Sequence, residues 1–283
     1  MRCSLKSRAS AFVGFTLLIN ACALWVQAFF YHGQIANAAE QQLDDKIIAV
    51  DRYDSLRTNE DDHILSLWGI INPYIDDRRA GQNQAINQRL EQLLLHPDYR
   101  EISIFLAEKQ PDHQGRQLVH VAIDGQYVVE TLLAEGLALY WPTDEGQMSA
   151  ELDQVYRKAE LEARLKKIGL WQQPDGLLIC AEDALALRGK PALVMGKVHS
   201  VSQSGSRMFV NFSDNWDEDF TLLIESAGTR RAVGAMSLEA GDHVMVRGWI
   251  EQWRGPFLKL SDARRLIKIN NDKEASNQCT GAN

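Results

Sequence analysis

Cysteine is scarce in this chain: four in 283 residues, at positions 3, 22, 180 and 279, with no Cys-x-x-Cys pair. The seven histidines lie far apart and none pairs at helical i, i+4 spacing, so the sequence offers no zinc ligand set. Basic residues are outnumbered, 30 Lys and Arg against 38 Asp and Glu, for a net charge of -8. Nucleic acid is held mainly by Lys and Arg displacing counterions, so this balance argues against a strong nucleic-acid binder. Residues 1–38 have no Asp or Glu but carry Arg2, Lys6 and Arg8, and setting those three charges aside leaves -11 on the remainder. The bulk composition, 45% hydrophobic and 24% charged, is that of a globular protein, and the length suits two domains after an export signal.

Residues 11–30 (AFVGFTLLINACALWVQAFF) are uncharged, follow a basic start, and precede Ala36-Asn37-Ala38, whose small residues fit an export peptidase site. Residues 1–38 therefore read as a signal peptide. The run approaches the ~20 residues that span a bilayer, which keeps an uncleaved membrane anchor open. Both readings leave the basic end in the cytoplasm and export the acidic segment from Glu40, to a periplasmic or secreted location. Cleavage after Ala38 leaves only Cys180 and Cys279, a candidate disulfide in an oxidising compartment.

Along the exported chain, KIIAV and HILSLWGI read as strands separated by a polar loop (Asp51 to Asp62). A helix is predicted over Arg79 to Leu95, strands over 101–108 and 118–123, and an Asp124-Gly125 turn leads to a short helix stopped by Gly136. A long amphipathic helix follows, with Met148, Leu152, Val155, Tyr156, Ala159 and Ala163 on its apolar face and Gly169 at its end. After Pro174 the pattern is mostly strands (PALVMGKVHSV, RMFVNF, DFTLLIE, HVMVRGWIE, PFLKL) with a short helix near Arg231 to Met236. The polar tail from Asn270 reads as disordered unless Cys279 ties it down.

Asp112-His113-Gln114-Gly115-Arg116, the following strand, Asp124-Gly125, VVETLLAEGLA and EARLKKIGLW together resemble the staphylococcal nuclease (thermonuclease) family over about residues 46 to 171. The resemblance implies an α+β fold: an OB-type five-stranded β-barrel with three helices at 39–173. FVNFSDNWDEDFTLLIE and GDHVMVRGWIEQWRGPFLKL resemble the small OB-like β-barrel that follows in some exported bacterial members, here 174–269, with 270–283 as tail.

The family's chemistry, implied by resemblance, is calcium-dependent phosphodiester cleavage by metal-binding carboxylates, two phosphate arginines and a glutamate that handles water. Asp54, in Arg52-Tyr53-Asp54-Ser55, matches the second Asp of the family's Asp-Gly-Asp-Thr turn and is the one surviving metal carboxylate; Arg52 replaces the first. The family's Arg-Leu-x-Gly-Ile-Asp-x-Pro-Glu reads here as Ser66-Leu67-Trp68-Gly69-Ile70-Ile71-Asn72-Pro73-Tyr74. Ser66 thus stands for a phosphate arginine, Ile71 for a metal carboxylate and Tyr74 for the glutamate. Arg116 is the phosphate arginine carried over. Asp54 also reads as a turn residue and Arg116 as a hairpin ion-pair residue.

These losses imply little turnover, since removing one transition-state donor alone costs ~10²–10³ in rate. The expected protein is a nuclease-like fold without its chemistry, needing no cofactor, that binds an unknown envelope protein or ligand. A calcium-dependent nuclease rebuilt from Asp51, Asp76, Asp77, Arg78 or Arg79 is the alternative, and a third reading gives the function to the second barrel. Charge agrees with weak nucleic-acid binding: 24 acidic against 14 basic residues over 39–173 gives -10, and 14 against 13 from 174 onward gives -1. In the second barrel Phe209, Phe212 and Phe220 read as core, Trp216, Trp249 and Trp253 as stacking candidates, and Asp214 to Asp219 as a solvated hairpin tip.

Overall fold

The structure, a computed structural model, describes residues 41–52, 55–60, 63–73, 80–95, 101–143, 148–172, 177–215 and 220–269. The export segment, Asp54, Tyr74, the 76–79 cluster, Trp216 with 217–219, and Cys279 lie outside the described residues.

Alternating apolar and polar residues build the N-terminal sheet from β1 (Gln42–Leu43), β2 (Ile47–Arg52), β3 (Ser55–Thr58), β4 (Ile64–Leu67), β6 (Ile102–Leu106), β7 (Gln117–Ile123) and β8 (Gln126–Tyr127). Their order is β1-β6-β7-β4-β3-β2, with β8 on β7. The pair β4·β7 is parallel and its neighbours are antiparallel. The ladder path is open, but its two edge strands, β1 and β2, are consecutive in the chain and separated by residues 44–46 alone. A second small ladder joins β5 (Ile70–Ile71) to β9 (Leu139–Tyr140).

Among the described residues three helices cover this sheet: α1 (Ala80–Leu94), α2 (Val128–Ala134) and α3 (Ala150–Leu165). The 3.6-residue period sets what each buries. Helix α1 buries Ile86, Leu90 and Leu94, and α3 buries Leu152, Tyr156, Ala159 and Ala163. Ser149 caps α3 by accepting the Leu152 N–H at 3.1 Å, and Glu151 and Asp153 suit its positive end.

The expected loop between Asp51 and Asp62 instead contains β3. Only Leu56 among Ser55–Thr58 is a large apolar residue, so the strand is sparse in sequence although three of its four residues are buried. At Asp124 (φ 50°) and Gly125 (φ 82°) both turn residues are left-handed, as a two-residue hairpin turn requires.

The C-terminal unit holds β10 (Leu178–Cys180), a 3-10 helix at Ala181–Leu187, β11 (Pro191–Lys197), β12 (Ser200–Ser204), β13 (Arg207–Asn211), β14 (Thr221–Ile224), α4 (Ala227–Ala235), β15 (His243–Trp249), β16 (Glu251–Trp253), β17 (Gly255–Lys259) and β18 (Leu266–Ile269). Two ladders form, β10-β11-β15-β18 and β12-β13-β14-β17-β16. They are joined by chain continuity: β11 runs into β12 across residues 198–199, and β15 into β16 across Ile250. A parallel pair, β14·β17, and a helix between β14 and β15 repeat the plan of the N-terminal unit, where β4·β7 is parallel and α1 precedes β6. The helix expected near 231–236 begins four residues earlier and ends at Ala235, because the Ser226 side chain caps it by accepting the Thr229 N–H.

Each unit has its own core, around Leu56, Leu65, Leu90, Leu132 and Tyr156 in one and Val194, Val210, Phe220, Leu222 and Val246 in the other. A third apolar cluster belongs to both: Leu139, Ala163, Leu170 and Trp171 meet Leu177, Leu193, Met195 and Met245. The two units are thus packed against each other, and burial of each leucine or methionine in this cluster contributes about 1.5–3 kcal/mol.

Candidate functional site

Strand β4 carries Ser66, and the β4·β7 register sets Leu65 opposite Gln117 and Ser66 opposite Leu118. Arg116 immediately precedes β7, so the fold brings the two positions that the resemblance matches to phosphate arginines onto or beside neighbouring strands. Ser66 is 3% exposed and its short side chain supplies no cation.

Arg116 is engaged within its own hairpin. Its Nε donates to Asp112 Oδ2 at 2.7 Å, and the side chains of the pair are 14% and 7% exposed. Asp112 also accepts the backbone N–H groups of Gln114 and Arg116, which closes the loop. Burial alone would raise the Asp112 pKa. The Arg116 guanidinium and the two backbone donors outweigh it and hold the carboxyl below its ordinary value.

The segment after β4 has become structural. Gly69 (φ 86°) turns the chain, Ile70 pairs with Tyr140 and Ile71 with Leu139. Ile71, at the resemblance's second metal carboxylate, packs against the apolar cluster shared by the two units. Asn72 is 1% exposed. A calcium site needs several oxygen ligands. An isoleucine provides none, and among the described residues no group of three His, Cys, Asp or Glu could hold a metal ion. The described residues therefore do not fit a calcium ion, and Asp54 and Tyr74 fall outside them.

Sequence reasoning missed the polar groups at the junction. Glu160 of α3 and Arg247 of β15 form an ion pair 5% and 2% exposed, with Nη2 to Oε2 at 2.8 Å and Nη1 to Oε1 at 3.1 Å. Glu160 Oε1 also accepts the Tyr140 backbone N–H at 2.7 Å. Arg264 and Arg265 reach across as well, donating to the carbonyls of Thr143 and Pro142 and lying over the rings of Trp68 and Trp141 at 5.9 and 4.8 Å. Glu160 was legible: it follows Tyr156 by four residues and so shares the buried face of α3.

Buried His120 of β7 was also overlooked. Its ring meets those of Trp68 and Tyr127 edge-on, its Nδ1 lies 3.4 Å from the Tyr156 hydroxyl, and its Nε2 has no hydrogen-bond partner among the described residues. Burial lowers its pKa to about 4. The unfolded chain binds a proton near pH 6.5 and the folded one only near 4, so between these values the unfolded state carries more protons. Stability is therefore expected to fall by about 3 kcal/mol as pH drops from 6.5 through 4. Urea unfolding at stepped pH should show this slope, and His120→Phe should remove it.

In the C-terminal unit Phe220 is 1% exposed and meets the Phe212 ring at 5.2 Å, while Trp249 and Trp253 are exposed at 43% and 75%. Cys180, half-buried at the end of β10, is disulfide-bonded.

No curated protein matches the chain. The model of the staphylococcal nuclease homologue family matches residues 83–173, a segment that includes Arg116 and leaves out Asp54 and positions 66–74. Over this segment, about a third of the chain, the protein is similar to the staphylococcal nuclease homologue family.

Proposed function

We propose that this is an exported thermonuclease-like protein whose catalytic set is lost and whose two units, each an OB-type barrel, serve as a binding or interaction module of the cell envelope. The observation that carries the reading is Ile71: the position of a metal carboxylate has joined the apolar cluster that packs one unit on the other. Burial of Ser66 and engagement of Arg116 by Asp112 point the same way. The barrel assignment rests on the shared strand plan, in which consecutive strand pieces stand at both ends of each ladder path. Cys279 is the proposed partner of Cys180, closing a loop around the second unit.

The purified protein with calcium and single-stranded DNA or RNA is expected to give no divalent-dependent cleavage product on a denaturing gel, because a donor, a metal ligand and a base are missing together. Affinity should be no better than ~10⁻⁴ M at physiological salt. Calcium-dependent digestion that disappears in Arg116→Ala would overturn the reading and favour a nuclease with a rearranged site.

A further inference from the structure

The β12-β13-β14-β17-β16 ladder of the C-terminal unit turns one face to the core and the other away from it. Val210, Leu222 and Leu258, on three adjacent strands, are at most 1% exposed and belong to the core. Alternation sends their chain neighbours to the opposite face. Register sets those neighbours in a row: Ser200 opposite Asn211, Asn211 opposite Thr221, Thr221 beside Phe257, and Phe257 opposite Glu251. A second row holds Ser202, Phe209, Leu223 and Lys259. Phe209, Leu223 and Phe257 are half-buried and stand outside the apolar clusters of the described residues. On the edge strand Trp253 pairs with Gly255, which has no side chain to shield the indole, and is 75% exposed.

The polar members of the first row are organised. Thr221 Oγ1 donates to Asn211 Oδ1 at 3.3 Å, and Asn211 Nδ2 donates to Ser200 Oγ at 3.2 Å. These bonds fix the amide and leave its second N–H without an acceptor among the described residues. Charge on the face cancels. Arg207 and Lys259 are both held by Glu225, Arg254 at the hairpin turn is likewise engaged, and exposed Glu251 adds a carboxylate. A polyanion would meet that carboxylate and cations that are already occupied, so phosphate chains gain little here.

We propose that this face binds a neutral oligosaccharide. A sugar ring has an apolar C–H side that stacks on an aromatic ring and a rim of hydroxyls that donate and accept hydrogen bonds. Trp253 and Phe257 supply the stacking surfaces, Phe209 extends them, and Asn211, Thr221 and Glu251 supply the polar partners. The first row crosses five strands, about 19 Å at the usual spacing, which suits a short chain of sugars better than a single one. The proposal gives a ligand to the binding module described above and rests on that reading. None of the nuclease positions takes part.

Titration of the purified full chain with chitohexaose, cellohexaose and maltohexaose, followed by calorimetry and tryptophan fluorescence, tests this. Saturable binding is expected for at least one, at least tenfold tighter than for its monosaccharide and unchanged by added salt. Trp253→Ala alters an exposed position, so it should unfold like the parent and weaken that binding tenfold or more. Asn211→Ala should weaken it as well. No saturable binding of any of the three, equal binding of the monosaccharide, undiminished binding by a folded Trp253→Ala protein, or tighter and salt-sensitive binding of oligothymidylate would overturn the proposal. If Asn211→Ala fails to fold, the probe series and Trp253→Ala decide it. The two readings fail separately: calcium-dependent digestion is seen on the gel, whereas silence of the three hexasaccharides removes the glycan ligand alone.

Discussion

Arg247→Ala is expected to destabilise the protein by about 3–5 kcal/mol, because it leaves the Glu160 carboxylate buried with its counter-charge removed. In the intact protein Glu160 is 5% exposed and receives the Tyr140 N–H and both terminal nitrogens of Arg247. Removing the guanidinium leaves that carboxylate one backbone donor and deprives the Tyr140 carbonyl of the Arg247 Nη1 bond. The Tyr140 ring, 5.2 Å from the Arg247 guanidinium carbon, loses its cation as well. Pairing Arg247→Met with Glu160→Leu should recover much of the loss, since replacing a buried ion pair by apolar groups is often neutral. Recovery should stop short of complete, because the Tyr140 N–H then has no acceptor, at a cost of about 1–3 kcal/mol. Urea denaturation of the three variants checks the order. An Arg247→Ala protein within 1 kcal/mol of the parent would contradict the buried pair's role.

What the sequence disclosed follows from where periodicity is strong. Helix α3 was legible because Leu152, Tyr156, Ala159 and Ala163 recur on one face, and the Asp124-Gly125 turn because few other dipeptides accept two left-handed residues. Strands β3, β10 and β18 were missed for the opposite reason: each is three or four residues long, too short for alternation to stand out, and pairing with its neighbours in the ladder defines it.

The candidate site was legible as a set of substitutions and opaque as a structure. Set against the family pattern, Ser66 and Ile71 mark positions where this sequence departs from it. The departure does not show that Ile71 belongs to a cluster drawn from both units, because that cluster depends on the contact of Met195 and Met245 with Leu139 and Trp171. The same holds for Arg247, which sits in an alternating strand where every second residue can face solvent. Only the docking of α3 against β15 makes it 2% exposed.

Gly169→Ala is expected to cost about 4 kcal/mol, since it drives apart two backbone segments that touch. Gly136 ends α2 and Gly169 follows α3, both with left-handed φ of 65° and 58°. The Leu170 N–H donates to the Gly136 carbonyl at 2.7 Å. A Cβ on Gly169 would sit 2.2 Å from that oxygen, and one on Gly136 would sit 2.4 Å from the Ile168 carbonyl oxygen. These are backbone atoms and cannot rotate away as a side chain can. Alanine pays the left-handed penalty of about 1 kcal/mol, forfeits a backbone hydrogen bond of similar net value, and lifts Leu170 and Trp171 off the shared apolar cluster. Gly205→Ala is the control. Gly205 also has a left-handed φ, 57°, but nothing lies within 4 Å of its Cβ position, so it should pay the conformational penalty alone, about 1 kcal/mol. Urea midpoints of the two variants separate the contributions: a large gap locates the cost in the Gly136–Gly169 contact, whereas equal losses would show that the two backbones have room to part.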